Sequence, residues 1–121
     1  MPNPMVHWEI NTDDAGQAQQ FYAGLFGWSV DANNPVNYGL AQSETWRGAD
    51  GGIHHDDSVS KGFMIYVEVD DLPAFLDKAV SLGGSVVTPV TDIPGIVTLA
   101  RFADPQGNLV GLVKSEDQPA G

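Results

Sequence analysis

The chain has 121 residues and a formal net charge of −11 at pH 7, with 16 acidic residues against five Lys and Arg. Nucleic-acid affinity comes largely from clustered cations, so this composition disfavours nucleic acid as a partner. The lack of cysteine excludes disulfides and cysteine-ligated metal sites. Residues 1–5 do not resemble a signal peptide, and no apolar run approaches the ~20 residues that cross a bilayer. We therefore expect one cytoplasmic domain, residues 1–121, without membrane contact.

The first half of the chain, residues 5–57, begins with a predicted strand. In this strand, Val6–Thr12, His7 and Glu9 alternate with Trp8 and Ile10. Successive side chains of a strand point to opposite faces, so one face is polar and the other apolar. We expect the apolar face to lie under a helix.

The helix that follows has one apolar stripe, which predicts that this face packs into the core. The stripe consists of Ala18, Phe21, Tyr22, Leu25 and Phe26. Asp13 or Asp14 can cap the start of the helix, and Gly27 can end it in a left-handed conformation. Three strands complete this half, near Trp28–Asp31, Val36–Gln42 and Ala49–His55.

The second half, residues 62–114, has the same order of elements. A strand, Phe63–Val69, precedes a helix whose N-cap is Asp70 or Asp71 and whose end is marked by the pair Gly83 and Gly84. The apolar stripe of this helix consists of Leu72, Phe75, Leu76, Ala79 and Val80. Three more strands are predicted near Ser85–Thr91, Ile96–Phe102 and Asn108–Val113.

The two halves are related by a repeat. A shift of 57 residues lays His7–Asp14 over Met64–Asp71 and Gly27 over Gly84. Identities are few, but the elements agree in type and order. The sequence therefore predicts an α+β fold of two tandem βαβββ modules with eight strands.

Three segments carry a resemblance to a known family: FYAGLFGW (Phe21–Trp28), YVEVDDLPAFLDKAVSLGG (Tyr66–Gly84) and FADPQGNLVGL (Phe102–Leu112). The chain resembles the vicinal oxygen chelate superfamily of glyoxalase I, bleomycin-resistance proteins and extradiol dioxygenases. Gly51-Gly52-Ile53 resembles the glycine-rich fourth strand of its short bacterial glyoxalase-like members. The resemblance implies a cupped eight-stranded mixed sheet, a small-molecule cavity and a homodimer.

In metal-dependent members of this superfamily, the first and fourth strands of both modules supply four metal ligands. Counting from the DPxGN turn, the resemblance places the family's carboxylate at Gly111, and the 57-residue shift makes His54 its first-module counterpart. The four matching positions then read His7, His54, Met64 and Gly111. Because a thioether and a glycine replace two ligands, we expect no tightly bound metal. His7 and His54 stay as residual candidates for Zn, Ni, Mn or Fe.

The expected function is the binding of a modest apolar or aromatic molecule, of the sequestering or resistance type. The predicted ligand-binding residues are His7, His54, Met64, Tyr66, Trp46 and Arg101. Tyr38 is a further candidate for stacking on a planar ligand. Strand alternation points His55 away from the site.

Two alternatives stay open. The first is a lyase, isomerase or dioxygenase of the same superfamily, in which His7 acts with Glu9 or Glu68 in proton transfer, or with a weakly bound divalent metal. The second is a purely structural dimer whose cup is filled by side chains.

Overall fold

A computed structural model describes residues 2–34, 38–43 and 48–115. The chain divides into two compact units. The first unit is Val6–Ile65, and the second unit combines Met1–Met5 with Tyr66–Gly121. The expectation of a single domain with modules at 5–57 and 62–114 stays a prediction.

The described elements follow the predicted order. They are β1 (Met5–Asn11), α1 (Ala15–Phe26), β2 (Ser29–Asp31), β3 (Gly39–Gln42), β4 (Gly51–His54), β5 (Gly62–Val69), α2 (Leu72–Ser81), β6 (Ser85–Ile93), β7 (Val97–Ala103) and β8 (Leu109–Lys114). The strand bounds agree with the predicted ones to within two residues, apart from the start of β3, where residues 35–37 lie outside the described part of the chain.

In the first unit the strands lie in the order β2-β3-β4-β1. β1 is parallel to β4, and the other neighbours are antiparallel. The core consists of Ile10, Ala41 and Ile53, which are buried. Trp8 and Tyr22 pack against it, so the apolar face of β1 lies under α1 as the alternation predicts.

Helix α1 begins and ends as predicted, but its apolar stripe is largely exposed. The Asp14 carboxylate accepts a hydrogen bond from the Gln17 amide, and Gly27 ends the helix at φ 72°. No residue of α1 is buried, and Phe21, Leu25 and Phe26 are 60%, 60% and 56% exposed. The prediction that these three residues belong to the core is wrong. Strands of three and four residues are too short to cover a helix of 12.

In the second unit the order is β5-β8-β7-β6, with β5 parallel to β8. The Asp71 carboxylate caps α2 by accepting from the Ala74 amide, and Gly83 has a φ of 103°. The core consists of Val69, Leu72, Leu76, Ala100 and Leu112. Here the predicted stripe does pack against a sheet, although Val80 is exposed.

Asn11, at the end of β1, fixes the loop that follows β4. Its buried side-chain amide donates to the carbonyls of Asp56, Val59 and Ser60, and its oxygen accepts from the Asp56 amide at 2.7 Å. Buried amides of this kind satisfy several loop backbone groups at once. Among the described residues, no helix is long and apolar enough to span a membrane.

Candidate functional site

Four polar side chains meet on the face of the first unit's sheet that is opposite α1. We call this group the polar cluster: His7 and Glu9 on β1, His54 at the end of β4, and Tyr38 just before β3. Alternation along β1 produces it, because Trp8 and Ile10 take the other face. Glu9 is only 4% exposed, so its carboxylate is held away from solvent.

The Glu9 carboxylate is the centre of the polar cluster. The Tyr38 hydroxyl donates to Glu9 Oε2 at 2.9 Å and lies 2.7 Å from His7 Nε2. A hydroxyl has one proton, so when Tyr38 donates to Glu9, the His7 contact uses the proton on Nε2. The result is a chain of hydrogen bonds from an imidazole through a phenol to a carboxylate.

His54 contacts the other oxygen of the same carboxylate. His54 Nε2 lies 3.0 Å from Glu9 Oε1, which is an ion-pair distance. This nitrogen is buried, yet it makes no aligned hydrogen bond within the described part of the chain. The His54 ring also lies 5.0 Å from the Tyr38 ring, centroid to centroid. His54 is therefore held by packing and by its contact with Glu9, and its Nε2 makes no aligned hydrogen bond within the described residues.

Burial lowers the pKa of His7 below its ordinary value of 6.5. The carboxylates of Glu9 and Asp50 and a backbone hydrogen bond at Asp50 oppose this shift, but desolvation is the larger effect. His7 is thus a neutral imidazole at neutral pH. A neutral imidazole has a single N–H, so the ring can donate either to Tyr38 or to the Asp50 backbone but not to both at once.

The glycine pair Gly51 and Gly52 makes room for two aromatic rings. A Cβ on Gly51 would lie 2.0 Å from the Trp8 indole, and a Cβ on Gly52 would lie 1.7 Å from the Tyr38 hydroxyl oxygen. Neighbouring residues of a strand face opposite sides, so the two rings cover β4 from the two faces of the sheet. Gly52 is therefore the reason that Tyr38 can reach Glu9.

The second unit has a different polar pair at the corresponding place. Tyr66 is opposite Gly111, and Gly111 is opposite Arg101, in a row across β5, β8 and β7. Arg101 Nε donates to the Tyr66 hydroxyl at 3.0 Å, and both residues are buried. A Cβ on Gly111 would lie 2.6 Å from the Tyr66 ring. A tyrosine therefore covers a glycine of the fourth strand in both units.

The strand registers correct one step of the sequence analysis. Glu9 is opposite Gly52 on β4, and Tyr66 is opposite Gly111 on β8. Glu9 and Tyr66 correspond under the 57-residue shift, so the first-unit counterpart of Gly111 is Gly52 and not His54. The fourth strands of the two units are therefore offset by two residues more than the 57-residue shift. The later strands of the second unit are longer than those of the first.

This correction bears on a metal of the kind the superfamily uses. The four matching positions become His7, Gly52, Met64 and Gly111, so the residues at these positions provide one imidazole and one thioether. This donor set does not fit a divalent metal. Within the described residues, no group of three His, Asp or Glu is arranged to hold an ion. The expected lack of a cofactor stays a prediction.

The other predicted site residues are placed as follows. Met64 and Tyr66 are buried on β5, and Glu68 is half-buried in the second unit, where its amide donates to the Pro4 carbonyl. His55 is exposed and contacts Asp57 and the Thr12 carbonyl. Trp46 lies outside the described residues.

An apolar groove of about 360 Å³ lies beside α2 in the second unit. Its apolar lining includes Phe75, Leu82 and Phe102, and its polar side chains are Lys78 and Asp104. Asp104 accepts hydrogen bonds from Asn108 and the Gln106 amide, and these bonds lower its pKa. The carboxylate thus serves the DPxGN turn, and the groove has no cluster comparable to that around Glu9.

From the sequence, Tyr38 is expected only to stack on a planar ligand. Its position as the link between His7 and Glu9 was missed, because the contact joins residues 31 and 29 positions apart. The sequence signal for this contact was Gly52. It is opposite Glu9, and because glycine has no side chain it leaves space for the Tyr38 ring.

Comparisons with known proteins agree with this architecture. A family model described as a glyoxalase-like domain matches residues 7–113. The Mycobacterium tuberculosis protein CFP32, by its name a candidate glyoxylase, is 32% identical over 111 residues, or 86% of this chain and 42% of that protein. The Streptomyces peucetius anthracycline biosynthesis protein DnrV is 24% identical, covering 88% of this chain and 45% of its own. The chain thus spans less than half the length of these two relatives.

Solved structures share the fold. Methylmalonyl-CoA epimerase from Mycobacterium tuberculosis has a TM-score of 0.66 at 17% identity, covering 93% of this chain and 88% of that chain. A glyoxalase/bleomycin resistance protein/dioxygenase superfamily member from Vibrio splendidus has a TM-score of 0.62 at 17% identity, covering 94% and 100%. The predicted fold class is therefore confirmed. The chain belongs to the glyoxalase-like domain family.

Proposed function

We propose that this chain is a metal-independent small-molecule-binding member of the glyoxalase-like family, with the polar cluster as its ligand contact. The observation that carries the proposal is the buried Glu9 carboxylate, which accepts a hydrogen bond from Tyr38 and contacts His54. Glu9 is opposite Gly52, the glycine at the position where the family has its fourth-strand ligand. Burying a carboxylate costs free energy unless it is well paired. A buried carboxylate that needs several polar partners to offset this cost marks a candidate functional site.

The chemistry of the cluster supports a neutral ligand with a polar edge. The buried His54 Nε2 makes no aligned hydrogen bond within the described residues, so its donor or acceptor capacity suits the polar edge of a ligand. The Tyr38 and His54 rings, 5.0 Å apart, add apolar surface. A modest aromatic molecule with a hydroxyl or carbonyl group matches these contacts.

One observation favours a catalytic alternative, an isomerase or lyase that works without a metal. The chain from His7 through Tyr38 to Glu9 joins a base that is neutral at pH 7 to a buried acid-base group. A positioned base of this kind can take a proton from a carbon next to a carbonyl group and return it. The predicted homodimer and cytoplasmic location are part of the proposal and await measurement.

The proposal is tested by metal analysis and by thermal unfolding with a library of small aromatic compounds. We expect less than one equivalent of metal, and at least one compound that raises the melting temperature by binding the native state. This stabilisation should fall in Tyr38→Phe and Glu9→Gln but persist in His55→Gln, whose histidine is exposed and outside the cluster.

Three outcomes separate the alternatives. One equivalent of tightly held Zn, Ni, Mn or Fe that is lost in His7→Ala would overturn the metal-free proposal. If no compound in the library changes the melting temperature, the structural dimer is favoured. Carbon-bound deuterium appearing in a binding compound in D₂O, and absent with His7→Ala, would establish the catalytic alternative instead.

A further inference from the structure

The apolar groove beside α2 is a cavity that the proposed function does not use. Its volume of about 360 Å³ lies in the range of small-molecule sites, which is roughly 300–1,000 Å³. All of the residues that line it belong to the second unit, so the groove does not depend on the first. Phe75 and Phe102 are half-buried in it and Leu82 is 70% exposed, so the groove is open to solvent.

The groove exists because the apolar stripe of α2 continues into a small residue. Leu72 and Leu76 are buried, whereas Ala79, about one turn later, has only a methyl group beside the sheet. The 57-residue shift pairs Ala79 with Tyr22 of α1, which packs against the core of the first unit and stacks on Trp28 at 5.9 Å between ring centroids. The first unit therefore has an aromatic ring at a position where the second unit has a methyl group.

Two charged side chains, Lys78 and Asp104, lie at this groove. The Asp104 carboxylate accepts hydrogen bonds from the amides of Gln106 and Asn108, so it is engaged in the turn before β8. Within the ranges that the structure describes, the Lys78 ammonium makes no hydrogen bond or ion pair. A lysine can lay its aliphatic stem along an apolar surface while its charge stays in water. Lys78 is therefore the polar group that the groove offers to a ligand.

We propose that this groove binds a small amphiphile that has one apolar body and one carboxylate. The body covers Phe75, Phe102 and Leu82, and the carboxylate pairs with Lys78. The lining is almost entirely apolar, which disfavours a molecule with polar groups along its length, because those groups would lose their hydration. Lys78 is exposed, so its ion pair contributes little and the apolar body supplies most of the affinity.

This site goes beyond the proposed function. The groove lies in the second unit, and the polar cluster around Glu9 lies in the first. The test of the polar cluster depends on Tyr38→Phe and Glu9→Gln, whereas the test of the groove depends on Lys78 and Ala79. The two proposals can therefore fail separately.

The first part of the test varies the length of the apolar body. Butanoate, hexanoate and octanoate are titrated at constant ionic strength, and the methyl signals of Ala79 and Leu82 are followed by NMR. We expect binding to tighten roughly threefold to fourfold for each added methylene group, because each one removes more apolar surface from water.

The second part varies the head group on the same body. Octanoate should bind about threefold more tightly than octan-1-ol, which is the size of effect expected for an exposed ion pair, and octylammonium should bind more weakly than octanoate. Lys78→Met should abolish the preference for octanoate over octan-1-ol. Lys114→Met removes the same charge at the exposed end of β8 and should preserve the preference.

The third part fills the groove. Ala79→Tyr introduces the residue of the first unit and should weaken octanoate and octan-1-ol alike by about tenfold or more, because the ring occupies their space. Val80→Tyr places the same ring at a neighbouring position that is 50% exposed and does not line the groove, so it should retain binding. Ala79→Leu fills the groove less and preserves the test if Ala79→Tyr does not fold.

Four results would overturn the inference. They are equal binding of butanoate and octanoate, tighter binding of octan-1-ol or octylammonium than of octanoate, unchanged octanoate binding in both Ala79→Tyr and Ala79→Leu, and methyl signals of Leu82 that change with protein concentration and not with octanoate. The last result would mean that a second copy of the chain covers the groove.

Discussion

The two units have the same order of elements but cover their helices differently. In the first unit, β2, β3 and β4 have three or four residues, and α1 has no buried residue. In the second unit, β6, β7 and β8 have nine, seven and six residues, and α2 buries Leu72 and Leu76. Helical stripes of the same spacing therefore form a core in one unit and an exposed surface in the other.

The difference extends to the polar face. In the first unit the residue opposite the fourth-strand glycine is an acid, Glu9, and in the second unit it is Tyr66, which is hydrogen-bonded to a cation, Arg101. A tyrosine ring covers the glycine in both units. A repeat thus preserves backbone positions and the space above them, while the charge at each position has diverged.

The largest expected effect is the difference in stability between two variants, each of which truncates one leucine in one of the two helices. Leu76 is 7% exposed and Leu25 is 60% exposed. Leu76→Ala should lower the free energy of unfolding by about 3 kcal/mol, because it leaves a cavity in a packed core. Leu25→Ala should change it by less than about 0.5 kcal/mol. Urea unfolding of both variants measures the difference, and equal losses would contradict the contrast between the helices.

The sequence predicted the elements well because their signals are local. Alternation in β1, the caps Asp14 and Asp71 and the glycine ends all act within a few residues, so each can be read without knowing the fold. The exposure of Phe21 could not be predicted in this way. It depends on how far β2, β3 and β4 extend under the helix, which the stripe itself does not encode.

The candidate site was predicted only in part for a similar reason. Alternation correctly put His7 and Glu9 on one face, but the contact through Tyr38 depends on strand pairing. The counterpart of Gly111 was misassigned because a constant shift of 57 residues ignores two additional residues in the second unit. Register is set by pairing between strands, so a single sequence offset does not determine it.

An intermediate effect is expected from glycine substitutions within the first unit. A Cβ on Gly52 would lie 1.7 Å from the Tyr38 hydroxyl oxygen, so Gly52→Ala must displace Tyr38 from His7 and Glu9. We expect a loss of about 2 kcal/mol in the free energy of unfolding, from overpacking and broken hydrogen bonds. The matched control is Gly24→Ala in α1, which has open space and should raise stability by up to about 1 kcal/mol.

Urea unfolding of the two glycine variants gives the sign of each change. The NMR signals of the His7 ring add a local measure, because they should move in Gly52→Ala and stay unchanged in Gly24→Ala. If Gly52→Ala is neutral and the His7 signals do not move, Tyr38 does not occupy the space above Gly52.

The smallest expected effect is a difference in pKa between His7, on the buried polar face, and His55, in the exposed loop after β4. Burial lowers the pKa of His7 below 6.5, while hydrogen bonding to the Thr12 carbonyl and the charge of Asp57 raise the pKa of His55 above it. Titration of the ring proton signals by NMR measures both pKa values directly. His7→Gln and His55→Gln assign the signals, since the chain has three histidines.

The two shifts have opposite consequences for stability. The lowered pKa of His7 means that the unfolded chain binds this proton more readily, so the His7 contribution is lost as pH falls from above 6.5 through the folded pKa. The raised pKa of His55 gives a contribution that is complete below 6.5 and is lost as pH rises through the folded pKa. In a plot of the free energy of unfolding against pH, His7→Gln should therefore flatten the acid side. His55→Gln should flatten the side above pH 6.5. If His7 titrates above His55, the assignment of His7 to a desolvated cluster is wrong.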